Sequence, residues 1–169
     1  MEFNGDRAIV NPLRIRSSTL MELEAMLVLY FTGVSRQSTK IITEQSEVLR
    51  SGHSGSLEAM HQIKQDAYVM KDALLRNDLR AFSRTLGMSW EAKKRTASDI
   101  SNAEINRILD VAVSAGAHSG KVSGAGGGGF LFFTVDPERR PHLMRALARE
   151  PGITMKCGFS ETGAQAWRV

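Results

Sequence analysis

The sequence predicts an α+β domain: a mostly antiparallel sheet with helices packed on one face. Three observations carry this. Ala25–Phe31 and Phe130–Val135 are continuous apolar runs with the length and composition of buried strands. A long block of helical periodicity lies between them. After the second run the pattern is helix, strand, strand, so the chain reads β, β, helical block, β-α-β-β.

Taken in order, Arg7–Ile15 is an extended segment, and Pro12 within it suggests a sheet edge. Ser17 and Ser18 are positioned to cap a short helix through Leu23, with Glu22 in its first turns. The Ala25–Phe31 strand then ends at Thr32-Gly33. Ser35 is placed as N-cap of a helix over Gln37 to Arg50, with Ile41, Ile42, Val48 and Leu49 on one face. Ser51-Gly52-His53-Ser54-Gly55-Ser56 breaks it; between two helices, this is a connection rather than a phosphate loop. Met60, Ile63, Ala67, Met70 and Leu74 then recur three and four apart, a helix-packing stripe in which methionine is core filler. Asn77-Asp78 is a stop and restart. The next helix carries Leu79, Phe82 and Leu86, and Gly87 is expected to interrupt it before Trp90. Ser101-Asn102-Ala103-Glu104 has the form of a capping box. It starts a helix with Ile105, Ile108, Leu109 and Ala112 inward, ending at Gly116.

After Phe130–Val135, Asp136-Pro137 turns the chain. Pro141 fits only a first helical turn, so a helix starts near Arg140 with Leu143, Met144 and Leu147 inward. Pro151-Gly152 ends it. Ile153–Phe159 and Ala164–Val169 are the last two strands, turning at Glu161-Thr162-Gly163.

Composition narrows the function classes. The 169 residues suit one domain, or one domain with a helical appendage, and no apolar run approaches a membrane span. Met1–Arg7 has no signal-peptide core. A single cysteine, Cys157, excludes an internal disulfide and suits a reducing cytoplasm; it reads as a strand residue, not a nucleophile. The net charge of +4 suits anionic small molecules and would also suit nucleic acid. The basic clusters Lys93-Lys94-Arg95 and Arg139-Arg140 read as solvated surface, with no interleaved aromatics to stack bases. His53 and His61 have no Cys, Asp or Glu at metal-ligand spacing, so no metal site is expected.

One stretch stands apart. Gly124 and Gly126–Gly129 put five glycines in six positions, behind Lys121-Val122-Ser123 and directly ahead of the Phe130–Val135 strand. Ordering glycine costs more backbone entropy than ordering any other residue. Such a run is kept where φ must be positive or where something must approach closer than a Cβ allows. Consecutive amides can then form an anion-binding concavity, with phosphate the expected guest. A flexible linker is the bland alternative, but a linker seldom runs straight into a core strand. Gly124–Gly129 also spells G-x-G-x-x-G. That dinucleotide fingerprint needs a strand before the loop and a helix after it; here the expected order is helix, loop, strand, and the reading is rejected. Gly116–Lys121 imitates a phosphate-binding P-loop with one residue too few, and with Val122 where Ser or Thr should hold magnesium.

A third pattern fits. Lys121-Val122-Ser123-Gly124-Ala125-Gly126-Gly127-Gly128-Gly129-Phe130 resembles the third motif of the GHMP kinases, which include galactokinase, homoserine kinase, mevalonate kinase and phosphomevalonate kinase. Within that family the resemblance is nearest to the bacterial D-glycero-D-manno-heptose 7-phosphate kinase group. It extends to Phe31-Thr32-Gly33-Val34-Ser35-Arg36, Ser89-Trp90-Glu91-Ala92-Lys93-Lys94 and Ile100-Ser101-Asn102-Ala103-Glu104, and covers the chain from about Arg7 to its end.

The resemblance implies a ferredoxin-like C-terminal domain with inserted helices, from an enzyme that transfers the γ-phosphoryl group of MgATP to a sugar or sugar phosphate. Such transfer rests on positioning and charge neutralisation. It further implies that the adenine site, the main triphosphate loop and the acidic residue near the acceptor lie in an N-terminal domain. No Gly-Leu-Gly-Ser-Ser loop occurs in this chain, and no catalytic residue is identified in it. ATP and Mg2+ would be bound mainly by that other domain. Residues 1–169 would be the C-terminal domain, with 1–15 the tail of the preceding domain or an edge strand.

Ser123, Gly124, Ala125, Gly126, Gly127, Gly128 and Gly129 would line the cleft beside the phosphates. Ser35, Arg36 and Lys121 would face the substrate. Arg36 suits a phosphate bidentately or a helix end; Lys121 supports the loop or adds charge to it. The expected partners are a sugar phosphate, ATP and the N-terminal domain, with self-association possible. Two other classes stay open: a ferredoxin-like binding or regulatory module without catalysis, and a nucleic-acid-binding domain, whose affinity would fall steeply with salt. A fucokinase, galactokinase or mevalonate kinase type is the alternative inside the family.

Overall fold

The computed structural model describes residues 1–34, 38–160 and 162–167. The chain opens with a small hairpin, β1 (Glu2–Asn4) and β2 (Arg7–Ile9), turning at Gly5 with φ +61°. Then follow α1 (Ser17–Met26), β3 (Leu27–Phe31), α2 (Ser38–Arg50), α3 (Ser54–Leu75) and α4 (Leu79–Lys94). A 3-10 turn at Ser98–Ile100 leads into α5 (Ala103–Ser114), β4 (Ala117–Val122), β5 (Phe130–Val135), α6 (Arg140–Leu147) and β6 (Ile153–Met155).

The main sheet has the order β4-β5-β3-β6, and every neighbouring pair is antiparallel. This is the ferredoxin-like arrangement. β3 and β4, joined by the helical block, flank β5; β5 and β6, joined by α6, flank β3. The α+β expectation holds, with α5 and α6 as the two helices of that arrangement and α2 to α4 inserted.

Burial follows strand alternation. Val28, Tyr30, Leu131, Phe133, Val135 and Val122 are buried with Ile105, Ile108 and Ala112 of α5 and Leu143 and Leu147 of α6. Residues one step out of phase, Leu29, Phe31, Phe132 and Lys121, are only half-buried. On that second face Phe130, Ile153 and Met155 are 38%, 63% and 44% exposed. A smaller cluster joins Leu23 and Met26 of α1 to Leu79 of α4.

Local chemistry explains most boundaries. Asn77 takes φ +58° after α3, and the Asp78 carboxylate caps α4 by accepting from the Ala81 amide at 2.8 Å. The stop and restart thus lie where expected. The His53 ring caps α3, accepting from the Ser56 amide at 3.3 Å, and Gly52 takes φ +71° before it. The break is therefore shorter than the expected Ser51–Ser56. Pro141 sits in the first turn of α6.

Several expectations are corrected. The Glu2–Asn4 strand has no counterpart in the sequence reading, and Val10–Arg16 is not strand. The serines do not cap α1: Arg16 stands at its N-cap without a side-chain bond, and the helix runs on to Met26, shortening the strand after it. On α2, Ile41 is buried but Ile42 is exposed; Gln37 and the Leu49 side chain lie outside what is described. Gly87 does not interrupt α4. A Cβ there would lie 3.2 Å from the Ser119 Cβ, so glycine lets α4 press against β4. The cap of α5 is Asn102, which accepts from the Ile105 amide at 2.9 Å, while Ser101 donates to Asn106 at 2.8 Å.

The largest correction is β4. The chain does not pass from α5 straight into the glycines; it turns at Gly116 (φ +103°) and first forms a strand of 6 residues. The order is strand, loop, strand, and the dinucleotide reading stays excluded because no helix follows the loop. At the other end β6 stops at Met155, and among the described residues 164–167 there is no strand; Glu161, Arg168 and Val169 lie outside them. β3 offers partners only from Leu29 to Phe31 on that side. Beyond β6 the chain crosses to α1, where the Phe159 amide donates to the Glu24 carboxylate at 2.5 Å. Cys157 is therefore not a strand residue. Burial raises its thiol pKa, the opposite of nucleophile activation.

Candidate functional site

The glycine run is the connection between β4 and β5. Its mouth is closed by the Ser123 amide donating to the Phe130 carbonyl at 2.7 Å. Gly124, Gly126, Gly127, Gly128 and Gly129 all take positive φ, from +75° to +149°. The one non-glycine inside the run, Ala125, turns its methyl onto the main core. This is a fixed loop, not a linker.

Three segments hold it, each belonging to a stretch that shares the family resemblance with the glycine run. From the β3 end, the Thr32 amide donates to the Gly129 carbonyl at 2.9 Å, and the Gly129 amide donates to the Val34 carbonyl at 2.8 Å. The Thr32 hydroxyl adds a bond to the same Gly129 carbonyl at 3.1 Å. From the turn before α5, the Ile100 carbonyl accepts from the Gly127 amide at 2.8 Å, and Asn102 Nδ2 donates to the Gly127 carbonyl at 3.3 Å. From the end of α4, Lys93 Nζ donates to the Gly124 carbonyl.

Glycine is sterically required at Gly126, and at Gly128 a side chain would be tightly crowded. A Cβ on Gly126 would stand 2.7 Å from the Ile100 carbonyl oxygen, and one on Gly128 would stand 3.1 Å from the Val34 oxygen. At Gly124 and Gly129 the space is open. The amides of Gly124, Ala125, Gly126 and Gly128 meet no protein acceptor among the described residues. The amides of Gly127 and Gly129 are taken, so the amides that could line an anion-binding concavity are not consecutive through the whole run.

Lys121, on β4 just ahead of the loop, lies against its cross-strand partner Phe132, with Nζ 5.8 Å from the ring centroid. Burial lowers its pKa. Lys93 is lowered to about 8, first by burial and then by the field of Lys121. The surface reading of Lys93-Lys94-Arg95 is thus corrected for one residue. Lys94 pairs with Glu91 at 2.7 Å in the ordinary way of a solvated helix face, whereas Lys93 is turned onto the loop.

Ser123 is exposed and keeps its hydroxyl free of protein partners among the described residues. Ser35 and Arg36 lie outside the described residues. Sequence reasoning missed the loop-holding roles of Thr32, Asn102 and Lys93, although all three stand inside the stretches that carry the family resemblance. No group of His, Cys, Asp or Glu able to hold a metal occurs among the described residues. A shallow basic hollow between α5 and α6 shares no residue with the loop, and its Arg107 is tied to Glu104 and Glu150.

Comparison with known proteins agrees with this geometry. Residues 70–153 match the family described as GHMP kinases C terminal. The chain is 47% identical, over its whole length, to D-glycero-alpha-D-manno-heptose 7-phosphate kinase of Campylobacter jejuni, and covers 50% of that protein. A crystal structure of a sugar kinase from Campylobacter jejuni superposes with a TM-score of 0.71 at 44% identity, over 99% of this chain and 46% of that one. A D-glycero-D-manno-heptose 1-phosphate kinase from Bacteroides thetaiotaomicron superposes with a TM-score of 0.67 at 38% identity, over 97% of this chain and 42% of that one. With its ferredoxin-like sheet and its pinned glycine loop, the chain belongs to the GHMP kinase family, whose C-terminal domain it carries.

Proposed function

We propose that the chain forms the C-terminal half of an ATP-dependent heptose-phosphate kinase, with the glycine loop as one wall of the phosphate cleft. The observation that carries this is the division of labour within the loop. Its own domain grips Gly127 and Gly129, while the amides of Gly124–Gly126 and Gly128 have no protein acceptor among the described residues. A loop held from behind, with donors in front, is preorganised for anionic oxygens at little reorganisation cost. The two named relatives act on heptose phosphates, which supports that acceptor class over a neutral sugar.

The reaction moves the γ-phosphoryl group of ATP to a sugar hydroxyl, releasing ADP and the hydroxyl proton. Nothing among the described residues of the cleft offers a general base. We assign the base, the adenine site and most of the Mg2+·ATP contacts to the N-terminal domain of a two-domain protein. Residues 1–15 fit the end of that domain: the β1–β2 hairpin is exposed throughout, and an isolated two-stranded hairpin is marginal in water. The half-open sheet face of Leu29, Phe31, Phe130, Phe132, Ile153 and Met155 is proposed to meet the same domain. The cytoplasm, as the site of ATP and of reduced cysteine, is the proposed compartment; no helix among the described residues is long and apolar enough to cross a membrane.

The test is an ADP-release assay with heptose 7-phosphate, run on the chain alone and on the protein carrying both halves. Turnover is expected only from the two-domain protein. Turnover by the 169 residues alone would place the catalytic groups here and reject the assignment. A fucose-type acceptor is the second reading, because L-fucokinase/L-fucose-1-P guanylyltransferase of Bacteroides fragilis is 28% identical over 71% of the chain; fucose in place of the heptose phosphate decides between them.

A further inference from the structure

We infer that Lys93 and Lys121 together form a phosphate-gripping subsite at the Ser123–Ala125 end of the glycine loop. The inference deepens the kinase reading and rests on it for the identity of the phosphate, but not for the existence of the site.

The geometry is unusual for lysines. Ammonium groups are strongly hydrated and normally reach water or a carboxylate. Lys93 does neither fully: it is half-buried at the end of α4, and its ammonium donates to the Gly124 carbonyl, which fills one of its three donor positions. Lys121 approaches from β4, its ammonium over the Phe132 ring. Neither has a carboxylate within ion-pairing distance among the described residues, although Lys40, Lys94, Arg80 and Arg107 all do. Two partly desolvated cations that repel each other, without an intervening anion, are a net cost to the folded chain. A dianion between them removes both the repulsion and the missing charge. The neighbouring amides of Gly124, Ala125 and Gly126, which have no protein acceptor among the described residues, add neutral donors beside the same spot. A phosphate monoester matches this set. A neutral sugar ring would leave the charges uncompensated.

The purely structural alternative is that Lys93 only ties α4 to the loop. The two readings differ in what inorganic phosphate does to Lys121, which Lys93 influences only through charge. The experiment is amine acylation of the 169-residue chain, read lysine by lysine by mass spectrometry at constant ionic strength. The additions are chloride, inorganic phosphate, heptose 7-phosphate or MgATP. Inorganic phosphate is expected to slow Lys93 and Lys121 together by at least about threefold, as when the ligand stands at twice its dissociation constant. Protection by heptose 7-phosphate and not MgATP identifies the phosphate already on the sugar; the converse identifies the nucleotide. Lys93→Met should abolish protection of Lys121, Lys93→Arg should retain it, and Lys94→Met should leave it unchanged. Equal acylation rates in all four solutions, or full protection of Lys121 in Lys93→Met, would overturn the inference. Because the readout needs no turnover, protection without kinase activity in the two-domain protein would reject the kinase reading and leave this site standing; activity without protection would do the reverse.

Discussion

Replacing the loop glycines one at a time by alanine separates backbone strain from steric exclusion. At Gly124 the φ of +84° is the whole obstacle, since nothing lies within 4 Å of an added methyl. Holding an L-residue in left-handed backbone costs about 1–2 kcal/mol, or a fall of about 2–8 °C in Tm for a domain of this size. At Gly126 a backbone penalty at least as large, for φ +126°, is joined by a collision: the methyl would stand 2.7 Å from the Ile100 carbonyl oxygen and 3.0 Å from its Cα, both backbone atoms that cannot swing aside. The loop must lift, and the adjacent Gly127–Ile100 hydrogen bond goes with it. Overpacking of this kind costs about 1–3 kcal/mol, and the lost bond about 1 kcal/mol. Gly126→Ala should therefore destabilise the chain by about 2–4 kcal/mol more than Gly124→Ala. Urea denaturation of the wild type and both variants, with m-values compared, measures the gap. If the two variants agree within about 0.5 kcal/mol, the ordinary scatter of surface changes, the loop is not held against Ile100 as described.

Three further outcomes are expected. Burial holds Lys93 at about 8 in the folded chain, below its unfolded value; between these values the unfolded state holds more protons, so stability should rise as pH climbs from about 8 toward 10, and this rise should shrink in Lys93→Met to the share of Lys121, which burial also lowers. In the two-domain protein, phosphate-monoester binding should weaken over the same rise, since it needs the charged ammonium; an affinity flat across that range would remove Lys93 from the site. Arg36→Lys should raise KM for the sugar phosphate and leave KM for ATP in place, whereas a change confined to ATP would move Arg36 to the nucleotide side.

How legible each element is in the sequence depends on how it buries its backbone. The helices announce themselves: Met60 to Leu74 repeat with helical spacing, and Asn77-Asp78 carry the chemistry of an end and a cap. β5 is equally plain, because Phe130–Val135 is apolar on both faces. β4 is invisible for a physical reason. Its residues are Ala117-His118-Ser119-Gly120-Lys121-Val122, and it is buried through smallness. Gly120 lies under the Phe133 ring with no room for a Cβ, and Ser119 pairs with Thr134 across the strands, hydroxyl to hydroxyl at 2.9 Å. No hydrophobicity pattern marks such a strand. The site behaves similarly. The glycines are evident from composition, but what fixes them is mostly backbone carbonyls, of Ile100 and Val34, and a carbonyl has no letter in a sequence. Lys93 shares its neighbourhood with Lys94 and Arg95, and only the position of the α4 terminus tells the one turned onto the loop from its neighbours.

The strand hidden in the sequence also changes why the loop can act. Had the chain run from α5 directly into the glycines, the loop would have hung from a helix end on one side only. As a connection between two paired strands, it is closed at its mouth by the Ser123–Phe130 bond and braced by Thr32 at Gly129 and by Ile100 and Asn102 at Gly127. The entropy cost of ordering five glycines, about 1–2 kcal/mol each for the backbone alone, is then met by folding of the sheet rather than charged to ligand binding. A loop ordered by its own domain need not be ordered again when phosphate binds, which is where preorganised sites gain affinity. The same logic places the charges. Lys93 and Lys121 are anchored on α4 and β4, elements held by the core, so their mutual repulsion persists until an anion relieves it. That repulsion favours a phosphate over a neutral ligand of equal size.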